Sequence, residues 1–308
     1  MKKILAFTLA VIVIAMALCS CSSIQTNGKK KIVVTVFPEY DWVLNILGDL
    51  KDDYEITLLM KSGTDLHSYL PSANDIASIS SCDLFIYVGG ESDFWVENAL
   101  ENPLNKNRTV INLMELLGSR AIEEEGEEEK EYDEHVWLSL KNAVLFTKSI
   151  CTAISGIDNK NANKYLENTA IYLNKLTELD TEYSDVVKGA LFNTIVVADR
   201  FPFAYLCKDY DIRYYAAFDG CSADTEASFE TVVFLAEKLD ESELKCILKI
   251  ESSDDSLPLT IINSSKNKNR KILTLNSIQS VTQKDIESGT TYLSLMQSNL
   301  EVLREALN

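Results

Sequence analysis

The sequence predicts an α/β protein of two lobes, each a mostly parallel sheet flanked by helices, joined by one long rigid helix. Three observations carry this expectation. Strand-like β-branched runs alternate with stretches of helical period along nearly the whole chain, the pattern of βαβ units. The body beyond the N-terminal leader holds about 280 residues, more than one core commonly serves. Finally, residues Asn159 to Lys188 keep Ala162, Tyr165, Leu166, Tyr172, Leu173, Leu176 and Leu179 on one stripe, Thr169 among them. A helix of about thirty residues reaches about 45 Å, enough to run the length of a two-lobed molecule.

The elements follow in order. Lys2 and Lys3 precede an apolar run from Ile4 to Leu18, broken only by Thr8. Such a run is short of the roughly twenty residues a membrane span needs, and suits a secretory leader. Leu18-Cys19-Ser20-Cys21 looks like a bacterial lipobox, with small Ser20 before the cut. Residues 1–20 are therefore expected to be a lipoprotein signal peptide and Cys21 the lipidated N-terminus. Residues 21–30 would be a flexible tether, and the body would sit on the outer face of the cytoplasmic membrane. An uncleaved anchor is the alternative, and it places the body on the same side.

In the first lobe, residues 31–156, strands are expected at Lys31–Phe37, Tyr54–Met60, Leu84–Val88 and Thr109–Leu113. Helices are expected at Asp41–Leu50, after an N-cap at Ser72, at Phe94–Glu101 and at Lys141–Ile154. Residues 121–134 are acidic, and Glu123–Glu134 almost wholly so; repulsion and low hydrophobicity predict a solvated loop. A low-affinity metal-gathering loop is the functional alternative. The linking helix spans 157–189. In the second lobe, 190–308, the strands are Thr194–Ala198, Arg213–Phe218, Cys246–Ile250 and Lys271–Leu275. Pro202–Tyr210, Ser228–Leu239, a stretch from Pro258 and the closing Thr291–Leu307 read as helices.

Composition narrows the function. Losing Lys2 and Lys3 with the leader takes the basic count from 29 to 27 against 47 acids, leaving the mature chain near −20. That argues against nucleic acid or anionic lipid held by a basic face, and is compatible with collecting cations. Beyond Cys21 the cysteines are Cys82, Cys151, Cys207, Cys221 and Cys246, odd in number, widely spaced and without a CxxC pair. They do not read as a disulfide framework.

Histidine is used only twice, at His67 in DLHSYLPS and at His135 in YDEHVWLS. Neutral imidazole is the commonest protein ligand for zinc and its neighbours, so the pair invites a metal reading. In open α/β sheets ligands sit beyond the carboxyl ends of strands. There lie His67, Asp199 and Arg200, Asp219 to Cys221, Glu251 and Asn276, with His135 after the fourth strand. A Cys221 thiolate would favour zinc over manganese. Glu134 is placed to fix an imidazole tautomer. Tyr69, Trp137, Phe201 and Tyr205 would shape the crevice.

DLHSYLPSANDI at Asp65–Ile76, DEHVWLS at Asp133–Ser139 and TYLSLMQSNLEVL at Thr291–Leu303 carry a specific resemblance. DRFPFAYL at Asp199–Leu206 and AAFDGCSADTEAS at Ala216–Ser228 extend it. Over nearly all of the mature chain the protein resembles solute-binding lipoproteins of zinc/manganese ABC transporters, the cluster A-I metal-binding family of periplasmic-binding-protein type. The resemblance implies a binding protein, not an enzyme, that takes a divalent metal (Zn2+, with Mn2+ possible) between its lobes and passes it to a membrane permease. It makes His67 and His135 the first two ligands. It puts Arg200 at a position where relatives carry a ligand, with Asp199 as the neighbouring substitute and Asn276 at the last ligand position. Glu251 and Cys221 are further candidates, and Arg200 could hold Glu226 or Glu251 in place. Two other readings remain: a surface adhesin or metal sensor with a degenerate site, and a metallohydrolase using Glu134 or Glu251 as general base. No HExxH spacing supports the last.

Overall fold

The computed structural model describes residues 28–61, 63–124, 131–218, 220 and 227–308. The expected signal peptide, Cys21, most of the tether, residues 125–130, Asp219, Cys221 and Glu226 lie outside the described residues.

In the first lobe the chain runs β1 (Lys30–Val34), α1 (Phe37–Leu47), β2 (Tyr54–Leu58), α2 (Ala73–Ser81), β3 (Leu84–Tyr87), α3 (Val96–Leu100), β4 (Thr109–Asn112), α4 (Leu113–Leu117) and α5 (Leu140–Ile157). The long helix α6 (Ala162–Lys188) leads to β5 (Thr194–Val197), α7 (Ala204–Tyr210), β6 (Arg213–Ala216) and α8 (Phe229–Glu241). There follow β7 (Cys246–Lys249), α9 (Ser256–Ser264), β8 (Lys271–Thr274), α10 (Gln283–Glu287) and α11 (Tyr292–Ala306). Both sheets are parallel throughout, ordered β2-β1-β3-β4 and β6-β5-β7-β8. The two-lobed α/β architecture with a linking helix is therefore what the chain forms.

Local chemistry explains the boundaries. Ser72, Ser228 and Thr291 cap α2, α8 and α11, each side chain accepting from the backbone N–H three residues on. Helix α1 begins earlier than its apolar spacing suggests, because Pro38 suits a first helical turn. Buried Glu39 fixes the same entry, one carboxylate oxygen accepting from the Thr35 and Val36 amides at 2.8 and 3.2 Å. Residues Asn159–Asn161 form a 3₁₀ turn, so α6 starts at Ala162 and its 27 residues extend about 40 Å. The five-residue α4 and α10 were not expected; they are too short for a periodic signal.

Helix α6 packs on α5, α1 and α11, and one continuous apolar core passes through both lobes around it. Polar bridges brace the lobes. Buried Trp137 donates its indole N–H to the Ser277 carbonyl at 2.9 Å, and the Tyr292 hydroxyl donates to the Trp137 carbonyl at 2.6 Å. Tyr205 Oη donates to the Asp133 carbonyl at 2.9 Å and accepts from the Ile122 amide at 3.1 Å. The segment carrying His135 is thus held by residues of the second lobe. No helix among the described residues is long and apolar enough to cross a membrane.

Replacing Tyr292 with Phe keeps the ring's packing but strands the buried Trp137 carbonyl. A stability loss of about 1–3 kcal/mol in urea unfolding is expected. An unchanged midpoint would show that this bridge contributes nothing to bracing the lobes.

Candidate metal centre

The two histidine frames share a device. Each has an aspartate two residues before the histidine, and each aspartate accepts the histidine's own backbone N–H, Asp65 at 3.0 Å and Asp133 at 2.7 Å. This local turn is the kind aspartate makes readily. It sets both imidazoles at the mouths of their loops, with ring centroids 5.4 Å apart.

Each ring is then fixed through Nδ1. Asp133 Oδ1 lies 3.1 Å from His135 Nδ1, and both side chains are almost fully buried. His67 Nδ1 lies 2.7 Å from Ser92 Oγ and 3.5 Å from Glu134 Oε2. In the tautomer whose Nδ1 donates to these oxygens, Nε2 is the nitrogen that carries the lone pair. His67 Nε2 is buried with no hydrogen-bond partner. Trp137 packs edge-on to His135 at 5.4 Å, closing its far side.

Glu134 therefore serves His67, while Asp133 serves the adjacent His135. Sequence reasoning named Glu134 and missed Asp133 and Asp65; the repeated Asp-x-His spacing was the signal that could have found them. Expecting all of Glu123–Glu134 to be solvated fails at this end, where Asp133 and Glu134 are buried. Residues Ile122–Glu124 pair with Glu131–Asp133 through backbone bonds, and the Ser92 amide donates to Glu134 at 2.8 Å. Gly90, at φ +89°, makes room for that carboxylate: a Cβ there would lie 2.3 Å from Glu134 Oε1.

The described second-lobe candidates are engaged by local hydrogen bonds. His67, His135, Asp65, Arg200, Ser252, Ser277, Gln279 and Ser280 share one inter-lobe crevice, but Asp199, Glu251 and Asn276 are absent from its wall. Asp199 accepts from the Arg200 and Ile250 amides at 3.0 and 3.2 Å, stapling the end of β5 to that of β7. Glu251 accepts from the amide and hydroxyl of Ser277 at 2.8 and 2.7 Å, stapling β7 to β8. Asn276 Oδ1 accepts from the Ile278 amide at 2.7 Å. Among the described residues, no three His, Cys, Asp or Glu side chains converge as a metal nest. Arg200 does reach the crevice, and among the described residues its ion-pair partner is Asp65 of the first lobe at 2.9 Å; Glu226 lies outside the described residues.

Electrostatics follow from burial. His67 is pushed down from 6.5 to about 4, first by burial, then by neighbouring His135, with Arg200 adding to the effect. Burial raises the Glu134 carboxyl, though the Ser92 contacts oppose it. For Asp65, burial pushes upward but the His67 N–H, the His67 ring and Arg200 together hold it below the usual carboxylate range.

Comparison with known proteins shows the family. The family described as "Zinc-uptake complex component A periplasmic" (ZnuA) matches residues 32–306, and the chain belongs to it. It is 29% identical over 317 aligned residues to the zinc-binding lipoprotein AdcA of Streptococcus pneumoniae strain R6, covering 99% of this chain and 61% of that relative. It is also 29% identical over 320 residues to the high-affinity zinc uptake system protein ZnuA of Bacillus subtilis strain 168, covering 98% of this chain and 96% of the relative. The crystal structure of the Zn(II)-bound ZnuA-like domain of S. pneumoniae AdcA superposes with a TM-score of 0.74 at 28% identity, over 91% of this chain and 99% of that one. The chain thus spans 61% of the length of the streptococcal protein.

The His67 shift has a signed consequence. Between pH 6.5 and about 4 the unfolded chain binds this proton and the folded chain does not. The contribution is therefore fully present above 6.5 and is lost as pH falls toward 4. Metal-free protein should lose on the order of 2–3 kcal/mol more than its His67→Gln variant across that window, by urea unfolding at each pH. Parallel curves for the two proteins would contradict a neutral, buried His67.

Proposed function

We propose that the protein is an extracytoplasmic solute-binding lipoprotein that captures a divalent transition metal between its lobes and delivers it to an ABC permease. The observation that carries this reading is the pair of imidazoles, each restrained at Nδ1, that share one inter-lobe crevice. Imidazole nitrogen suits zinc and discriminates against calcium and magnesium, which take oxygen ligands. Zinc is the cargo in this reading, as the names of the streptococcal and Bacillus relatives suggest, with manganese the second ion.

His67 and His135 are the ligands. Asp199, Asn276 and Glu251 could join them only by releasing the backbone amides they now hold, and Cys221 remains a candidate from sequence. Asp133 and Glu134 orient the rings. Cys21 is the proposed lipid anchor, which would keep the body at the outer face of the cytoplasmic membrane beside its permease. The rigid α6 suits a protein whose lobes need little rearrangement around the ion.

The lack of a third ionisable ligand among the described residues favours one competing reading, a surface adhesin or metal sensor with a degenerate site. Zinc affinity by competition with a chromophoric chelator separates the two. One equivalent should bind, and His67→Ala and His135→Ala should each weaken it at least about tenfold. Binding that ignores both substitutions would end the capture-and-delivery reading.

A further inference from the structure

We infer that Asp93 is a positioning residue for metal capture: it locks the turn that aims Ser92 at His67, as half of a buried acid pair whose other member, Glu39, keeps its proton. This deepens the metal-capture reading and rests on it. The His67 ring is tied to Ser92 Oγ at 2.7 Å, and the Ser92 amide donates to Glu134 at 2.8 Å. Ser92 sits in a 3₁₀ turn, Glu91–Asp93, that follows Gly89 and Gly90 at φ +88° and +89°. Two successive glycines give the chain wide freedom, so a turn built on them needs a lock. Asp93 Oδ2 supplies it, accepting the Gly89 amide at 2.8 Å across the turn. Asp93 thus acts on His67 through its neighbour Ser92.

Sheet topology brings the second acid to the same end of the sheet. Strands β1 and β3 are neighbours, with β2 on one side and β4 on the other. Glu39 accepts from the Thr35 and Val36 amides just past β1, while Asp93 closes the turn after β3. Glu39 is wholly buried and Asp93 is 4% exposed. One oxygen of each, Glu39 Oε1 and Asp93 Oδ1, is buried without a hydrogen-bond partner. Ionising both acids in such surroundings is unfavourable, which keeps a proton on one of them.

The ionisable groups that face Asp93 bring no positive charge. Glu39 and Glu134 are acids, and Tyr69 and Tyr87 are phenols. Burial, with the Asp93 charge adding to it, pushes Glu39 up from 4.5 to about 8. Burial, with Glu134 adding to it, pushes Asp93 up from 3.8 to about 7. Between those two values Glu39 carries the proton, and Asp93 is ionised to accept the Gly89 amide. The amide contacts of Glu39 suit a neutral carboxyl as well, because its carbonyl oxygen can accept them.

The test begins on metal-free protein. Urea unfolding compares wild type with Glu39→Gln, whose amide stays neutral, from pH 4.5 to 9. The unfolding constant of wild type should rise relative to the variant by up to about tenfold per pH unit until about pH 8, then level off. The Glu39 ¹³C carboxyl signal of wild type should still be that of an acid at pH 7. Parallel unfolding curves, or a carboxylate signal, overturn the retained proton. ¹⁵N spectra of His67 and zinc affinity by chelator competition then test positioning. Asp93→Asn keeps an acceptor for Gly89 and should preserve an Nδ1-protonated ring, with zinc affinity within about twofold of wild type. Asp93→Ala should give mixed tautomers and bind zinc about tenfold more weakly, with Asp93→Ser as the milder variant if Ala does not fold. A folded Ala or Ser variant whose ring and zinc affinity match wild type overturns the role of Asp93. Wild type that binds no zinc ends the capture reading, while the metal-free ring spectra still decide whether Asp93 positions His67.

Discussion

Everything at the centre of this molecule depends on where two imidazole Nδ1 atoms are tied. Asp133 secures one ring, and Ser92 with Glu134 secures the other, at the wall of one inter-lobe crevice. Burial keeps His67 neutral, and a neutral ring with an engaged Nδ1 can offer only Nε2 to an ion. The carboxylates of Asp133 and Glu134 lie against the rings on their Nδ1 side.

The fold serves the same end by immobilising the His135 segment from both sides. Its aspartate is held at the carbonyl by Tyr205, and its tryptophan is clasped between Ser277 and Tyr292. These contacts cross between lobes, so the site and the inter-lobe seam are one structure. Helix α6 and the continuous core around it resist bending at that seam. Arg200 to Asp65 adds a charged tie at the crevice itself, linking the second lobe to the turn that carries His67.

Much of the architecture was legible in the sequence because it rests on local signals. Runs such as Thr194–Val197 can hardly be anything but buried strand, and Ser72, Ser228 and Thr291 announce their helices by side-chain chemistry. The pair His67 and His135 was also legible, from rarity and from neighbours. What could not be read was the assignment of partners. Asp133 and Glu134 close an acidic run and look solvated, yet Tyr205 and Ser92, distant in sequence, bury them. Asp199, Glu251 and Asn276 lie at strand ends as expected, but only the packed loops show that backbone amides claim their oxygens. The pairing of Arg200 with Asp65 was not legible either, because the Asp65 turn comes from the other lobe.

The most direct test of this account is ¹⁵N NMR of the two imidazoles, with and without one equivalent of zinc. In metal-free protein at neutral pH, the His67 ring should be neutral with the proton on Nδ1. On adding zinc, both Nε2 resonances should move to metal-bound shifts while both Nδ1 resonances stay protonated. Zinc shifts at Nδ1 of either ring, or rings that ignore the ion, would contradict it.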